Sequence, residues 1–393
     1  MRNKKHKLFT FIAIFFLSYT LLCLFPSSSV NAISKVDEDK VKERVAYILN
    51  QRNAAIISGT LDKLPELFDT SQKYGIWALE HEVKRIKYLN DWSYQRGMKF
   101  TNINSAMKVR KISSSKNGTK IIFDEIYKFD YVYDKDENPV TNSFGVTLNH
   151  TMVLTNKNDN LIVYNDWYLD CFEDALKAYS GEIKNMDRNK TNPKPIFSLG
   201  NCPKTDYGSS TGRYNRLKAV EYADKYCGVS WGSENELSHN KKYRNYTGAG
   251  GDCTNYASQV IGDKEAGGLR QDGTWRCSYH IYGNSEGSQA WVNADSFRHY
   301  LLYSGKGSLI KKGTFKDVTS GVPGYPCGYV QKLELGDLIC YAKGNNIDHF
   351  SVITGWDSHG YPLVNSHTVS RYHVPWDLGW GDNKIYFHLI HIR

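Results

Sequence analysis

The sequence predicts an α+β protein of about two domains, and three observations carry that prediction. Apolar residues at helical spacing between residues 36 and 95 give way to runs that alternate apolar and polar up to residue 169. A polar stretch with Pro193, Pro195 and Pro203, then Gly-Ser-Ser-Thr-Gly from 208, interrupts the pattern over residues 181–210. Beyond it, helix-spaced segments recur and the chain ends in a succession of strand-like runs. The expected division is a signal segment at 1–32, an accessory α+β domain at 33–180, a linker at 181–210 and a second domain at 211–393.

The elements follow in order. MRNKKHK, with four basic residues, precedes an apolar run from Leu8 to Phe25, and Val30-Asn31-Ala32 offers small residues for cleavage. This reads as a secretory signal cut after Ala32, with no later apolar run long enough to span a bilayer. In residues 36–58, Val41, Val45, Ile48, Leu49 and Ile56 share a helix face that Gly59 ends. A short helix around Leu61 to Phe68 and a longer one from Ile76 to Gln95 follow. Phe123, Tyr127, Phe129, Tyr131 and Tyr133 then alternate with Asp124, Lys128 and Asp130, as a half-buried strand does. Residues 144–155 and 160–169 make two more strands. This order of helices and strands resembles the layout of cystatin-like folds, in which a curved sheet wraps a helix. No catalytic constellation is visible here, and His81 and His150 are expected to serve packing or surface roles.

In the second part, Leu217, Val220, Ala223 and Cys227 form a stripe ended by Gly228, and residues 288–302 form another helix with Trp291, Ala294, Phe297, Tyr300 and Leu301 inward. Strands are expected from Leu333 to the C-terminus. Between the helices lies GAGGDCTNYASQVI (248–261). Gly250 and Gly251 suit a tight entry turn, and Cys253, Tyr256, Ala257, Val260 and Ile261 share one helix face. Cys253 then sits in the first helical turn, where free N–H groups and the dipole favour a thiolate. Its bland alternative is a small buried core residue.

Downstream, Asp348-His349-Phe350-Ser351-Val352-Ile353-Thr354-Gly355 alternates as a strand, with His349, Ser351 and Ile353 on one side and Phe350, Val352 and Thr354 on the other. A turn at 357–360 returns the chain to a strand on which Asn365 and His367 share a face. A thiol at a helix start, an imidazole on a strand and a third polar group to orient it are the parts of a cysteine hydrolase. The Cys253 N–H would supply one oxyanion donor, with Tyr246 or Tyr243 as a second.

Composition bounds the partners. The chain has 393 residues, 40% hydrophobic and 23% charged, with net charge +9. Removing the four basic residues of the signal leaves a mature charge of about +5, a bias toward an anionic bacterial envelope. No arginine-rich, aromatic-interleaved patch points to nucleic acid. Seven cysteines remain after the signal: Cys171, Cys202, Cys227, Cys253, Cys277, Cys327 and Cys340. Three disulfides with Cys253 free fit this odd number in an exported protein, and so does a reduced, buried set. His349, His367 and His373 with Cys253 match no zinc spacing, so no metal or cofactor is expected. His388 and His391 lie on opposite faces of a terminal strand and are expected to be structural.

GGDCTNYASQ (250–259), SQAWVN (288–293) and GDLI (336–339) followed by DHFSVITG (348–355) resemble the secreted bacterial "putative amidase domain" family, over about residues 211–393. That family is related to CHAP-type and other papain-like cell-wall hydrolases. The resemblance implies a papain-like cysteine hydrolase domain, its Cys helix packed on an antiparallel sheet. It implies Cys253 as nucleophile and His349 as general base and acid, with Asn365 as the third residue and His367 as runner-up. It also marks Asp252 as a site residue, against a plain helix-capping role. The implied activity is a secreted, wall-associated amidase or endopeptidase acting on bacterial cell-wall (peptidoglycan) peptides. The alternatives are a protease or acyltransferase using the same pair, and a non-catalytic wall-binding or scaffold protein.

Overall fold

Twelve strands and eight α-helices make up the described residues of a computed structural model. These are residues 37–184, 202, 204, 207–231, 239–279, 285–380 and 385–393. The expected signal segment and most of the 181–210 stretch lie outside them. The α+β class holds: ten of the strands form one large antiparallel sheet. Lys40–Arg393 form one compact unit.

Helix α1 (Glu38–Ser58) buries Val41, Val45, Ile48, Leu49 and Ile56, the face its spacing predicts. The short helix expected near residue 64 is a 3-10 turn, Leu64–Leu67, with Pro65 in its first turn. Helix α2 spans Lys73–Gln95. Strands β1 (Met98–Ser115) and β2 (Gly118–Tyr133) form a long hairpin in register from Met98↔Tyr133 to Ser115↔Gly118. β1 was not expected, because its polar residues face water along much of its length. Strands β3 (Asn142–Lys157) and β4 (Asn160–Tyr168) turn at Asn158 and Asp159, whose φ values of 52° and 63° are the left-handed pair a tight hairpin uses.

The interior between these helices and the sheet is charged. Arg52, Glu82, Arg85, Glu125, His150 and Asp170 are all buried. His150 stands between Asp166 (Nδ1 to Oδ1, 3.0 Å) and Glu125 (Nε2 to Oε2, 3.1 Å). The expected packing role holds, since the ring stacks on Phe123 at 4.8 Å, and it is also a buried ionic link, where paired charges replace the costly isolated one. His81 bonds Asp170 at 3.0 Å.

After α3 (Glu173–Leu176), helix α4 (Arg216–Lys225) buries Arg216, Ala219, Tyr222 and Ala223. Leu217, expected inward, is exposed, because the helix is anchored instead by Arg216, which donates to Asp337 and to the Leu335 and Ile392 carbonyls. Helix α5 (Cys253–Gly262) is buried at all ten positions. A two-stranded ribbon of β5 (Cys277–Tyr279) and β6 (Ser285–Gly287) follows. The helix expected at 288–302 is split into α6 (Gln289–Val292) and α7 (Ala294–Tyr303), because the Asn293 side chain caps the second through the Ser296 N–H.

The rest of the sheet comes from β7 (Gly307–Gly313), β8 (Leu338–Lys343), β9 (Asn346–Trp356), β10 (Pro362–Ser366), β11 (Ser370–Pro375) and β12 (Ile385–Ile392), with α8 (Phe315–Thr319) after β7. The order is β1-β2-β3-β11-β10-β9-β8-β12-β7. One edge of β3 carries both β4, over residues 150–157, and β11, over residues 145–147. Through that edge the strands of the first half and those of the second become one sheet. Arg96, Trp92 and Tyr361 all donate to Asp377, and Tyr131 and Tyr133 donate to Asp357, so buried hydrogen bonds reinforce the junction.

Cys202 and Cys327 form a disulfide, and the other five cysteines among the described residues, Cys253 included, are buried thiols. Three bridges are therefore not made.

Candidate active site

The entry to α5 is the turn its glycines permit: Gly250 and Gly251 have φ of 105° and 119°. A Cβ on Gly251 would press against Thr368. Thr368 Oγ1 accepts from the Asp252 N–H at 2.9 Å and pins the helix start to the end of β10.

Asp252 does not cap the helix with its side chain. Its Oδ1 accepts from the Tyr246 N–H (2.8 Å) and from Asn255 Nδ2 (2.9 Å), and its Oδ2 faces His367 Nδ1 at 2.7 Å. The other ring nitrogen of His367 faces the Tyr226 carbonyl at 2.6 Å. Both ring nitrogens of His367 therefore face acceptor oxygens. The ring stacks on Tyr256 at 3.9 Å and lies 4.2 Å from the His239 ring. Burial pushes the Asp252 carboxyl up, but the His367 bond and charge, Tyr246 and Asn255 outweigh it and hold it below its ordinary value. Burial pushes His239 down to about 4, and the His367 charge adds to this.

Cys253 is 7% exposed. Burial pushes its thiol up and the Asp252 charge adds to that, against the Phe350 backbone N–H and the Thr254 hydroxyl, whose oxygen is 3.8 Å from Sγ. The thiolate expected from the helix dipole is therefore not the resting form: desolvation outweighs the helix terminus.

His349 follows from strand alternation. Phe350 and Val352 pack into the cluster that holds Tyr256, Ala257 and Val260 of α5. His349 points to the other face, between Tyr341 (5.8 Å) and Trp380 (5.4 Å). Its Nε2 is buried with no hydrogen-bond partner. Burial, then the charges of Arg371, Lys343 and His367, push it well below the ordinary imidazole value, so the ring is neutral. The Phe350 N–H that acts on Cys253 belongs to the residue next to His349, yet no hydrogen bond joins the Cys253 and His349 side chains among the described residues.

Asn365 does not reach His349. It is paired with Val352, and so lies on the α5 face. Its Oδ1 accepts from Thr354 (3.0 Å) and the His373 N–H (2.7 Å), and its Nδ2 donates to Asp224 (2.8 Å). It braces β10 against β11 and α4 rather than orienting an imidazole. The runner-up, His367, is brought to Asp252 instead. Tyr243 is also displaced: its hydroxyl donates to Asp263, the C-cap of α5, at the far end of the helix from Cys253. The Tyr246 hydroxyl accepts from the Gly287 N–H at 3.2 Å. His239, Thr368 and Trp380 belong to this neighbourhood and carry no signal in the sequence, because loops and non-adjacent strands bring them in. No group of three or more His, Cys, Asp or Glu side chains suited to a metal ion occurs among the described residues.

Residues 213–390 match the family described as "Putative amidase domain". The chain is also 30% identical over 218 residues to a Bacillus subtilis (strain 168) protein named "Uncharacterized protein YjcM". That alignment spans 52% of this chain and 44% of the relative, so the chain covers less than half of the relative's length. A solved structure, the intermembrane space region of chloroplast protein ARC6, aligns at 12% identity over 34% of this chain and 98% of that one, with a TM-score of 0.24. The second half of the chain is thus similar to an amidase family, over residues 213–390.

Proposed function

We propose that the second half of the chain is a papain-like cysteine amidase, with Cys253 as nucleophile and His349 as its base and acid. The single observation that carries this is the free, buried thiol at a helix start, approached by the N–H of Phe350, the residue next to a neutral His349 whose Nε2 has no hydrogen-bond partner. His349 takes the thiol proton after the start of β9 rearranges to bring its ring to the α5 face. The sulfur attacks the amide carbonyl, and the oxyanion develops beside the Cys253 N–H at the helix start. The C–N bond then breaks, and His349 passes its proton to the leaving amine. Water, deprotonated by the same ring, attacks the thioester, and the C–S bond breaks to return the thiol. His367 and Asp252 position the helix start and Cys253 with it. Secretion, wall association and peptidoglycan peptides as substrate rest on the signal-like N-terminus, the basic mature charge and the family resemblance. Residues 33–180 would then serve as the accessory, targeting part and 181–210 as linker.

The test is incubation of the mature protein with purified peptidoglycan and peptide amides, reading new amino groups and thioester trapping by hydroxylamine. Release by the wild type and none by Cys253→Ala supports the assignment. Equal release by both rejects it. A wall-binding protein without catalysis is the second reading, favoured by the closed thiol and the outward-facing His349. Binding to walls without any release would establish it.

A further inference from the structure

A cavity of about 1150 Å³ contains neither Cys253 nor His349. It opens between α7, the turn after β8, β7 and β12, and His388, Arg298 and Lys312 border it. His388 is only 2% exposed. Its Nδ1 accepts from Arg298 Nε at 2.9 Å, so Nε2 carries the hydrogen, and that donor has no partner. A buried donor left unmet costs about 1–3 kcal/mol and points to a missing acceptor. Neither Arg298 nor Lys312 makes an ion pair among the described residues. The acids of the cavity are already engaged: Asp272 with Tyr300 and Lys306, Asp295 with the Ile347 N–H. Asp295 keeps its negative charge, so Arg298 and Lys312 leave the cavity a net positive charge.

The sheet register fixes where this cavity lies. His388 pairs with Cys340, and Cys340 pairs with Phe350, whose N–H acts on the Cys253 sulfur. All three side chains share the α5 face, and two strand spacings separate His388 from Phe350, about 10 Å. The Cys340 thiol, between them, is acted on by Arg298 and Lys312 from one side and by Cys253 from the other.

We propose that this cavity recognises a free carboxylate on a peptide ligand of the chain. The His388 N–H and the Arg298 guanidinium grip the carboxylate oxygens, and Lys312 adds charge at the rim. His388, expected to be structural, thereby becomes a recognition residue. The ligand class is short peptides ending in a carboxylate, rather than amidated or internal segments. The binding does not rest on the amidase reading.

The experiment uses the full mature chain carrying Cys253→Ala, titrated with N-acetyl-trialanine and with its C-terminal amide. Binding is read by calorimetry and by NMR titration of the His388 ring. The acid should bind at least tenfold tighter than the amide. It should raise the His388 ring from about 4, where burial and the Arg298 and Lys312 charges hold it. Arg298→Gln and the rim variant Lys312→Gln should each weaken the acid about fivefold and leave the amide unchanged. Lys312 is exposed, so its variant stays informative if Arg298→Gln does not fold. Equal affinity for acid and amide, a silent His388, or inorganic phosphate binding as tightly as the peptide would overturn it. Tight acid binding with no hydrolysis by the wild type leaves the site standing and removes the amidase reading. Hydrolysis indifferent to the terminal carboxylate does the reverse.

Discussion

His367 Nδ1 and Asp252 Oδ2 lie 2.7 Å apart, buried at the start of the Cys253 helix, with both side chains 2% exposed. The pair joins the end of β10 to the turn before the thiol. Removing one partner leaves the other's buried polar atoms unmet in the interior. Asp252→Asn should therefore lower unfolding free energy by about 1–3 kcal/mol, measured by urea denaturation at pH 7. Replacing both residues by apolar ones of similar size should cost much less. The folded Asp252 carboxyl is held below its ordinary value, so its contribution is full above about pH 4 and is lost as pH falls below that.

The thiol and imidazole give a second prediction. With the thiol raised and the imidazole lowered, the resting pair is neutral. Iodoacetamide should label Cys253 slowly at pH 5–6 and faster only at alkaline pH, beyond the ordinary thiol value near 8.5. Fast labelling at pH 5–6 that depends on His349 would show a resting thiolate–imidazolium pair and refute this. Cys253→Ser should lower amide hydrolysis by at least about 10³-fold while the melting temperature moves little.

The buried histidine of the first half gives a third. Burial works against charging His150, but Asp166 and Glu125 outweigh it and push the ring up to about 9. A raised folded value means the stabilisation is full below about pH 6.5 and is lost as pH rises through about 9. Melting temperatures of the wild type should fall over that window, and His150→Gln should start lower and show a flatter alkaline limb. An unchanged limb would mean His150 is neutral.

The fourth concerns the junction. Asp377 accepts from Arg96 Nη2 at 2.6 Å and from Trp92 and Tyr361, and Arg371 donates to the Cys171 carbonyl. Arg96→Met should destabilise by about 3–5 kcal/mol, since Asp377 stays buried with its counter-ion gone. Residues 211–393 expressed alone should be poorly folded by near-UV circular dichroism, because β11 loses its β3 neighbour and Asp377 loses two donors. A sharp, cooperative transition in that fragment would show that the second half folds by itself.

How much of this was legible follows from what each residue depends on. The α1 stripe, the alternation of β2 and β3, and the glycine turn before Cys253 are local, and period and φ preference write them directly into the sequence. β1 was missed because a strand whose residues largely face water has no apolar alternation. Leu217 was misplaced because its helix is docked by a buried arginine, not by its leucine.

The sequence by itself determined the α+β class, the thiol at a helix start, and the strand that carries His349 on the side opposite Phe350. Only the tertiary structure decided that Asn365 braces β11 while His367 takes Asp252, that β3 joins both halves into one sheet, and that His388 borders a cavity with an unmet donor. The reason is physical. Alternation assigns a side chain to a face, but which helix covers that face, and what charge burial then permits there, depends on partners over a hundred residues away.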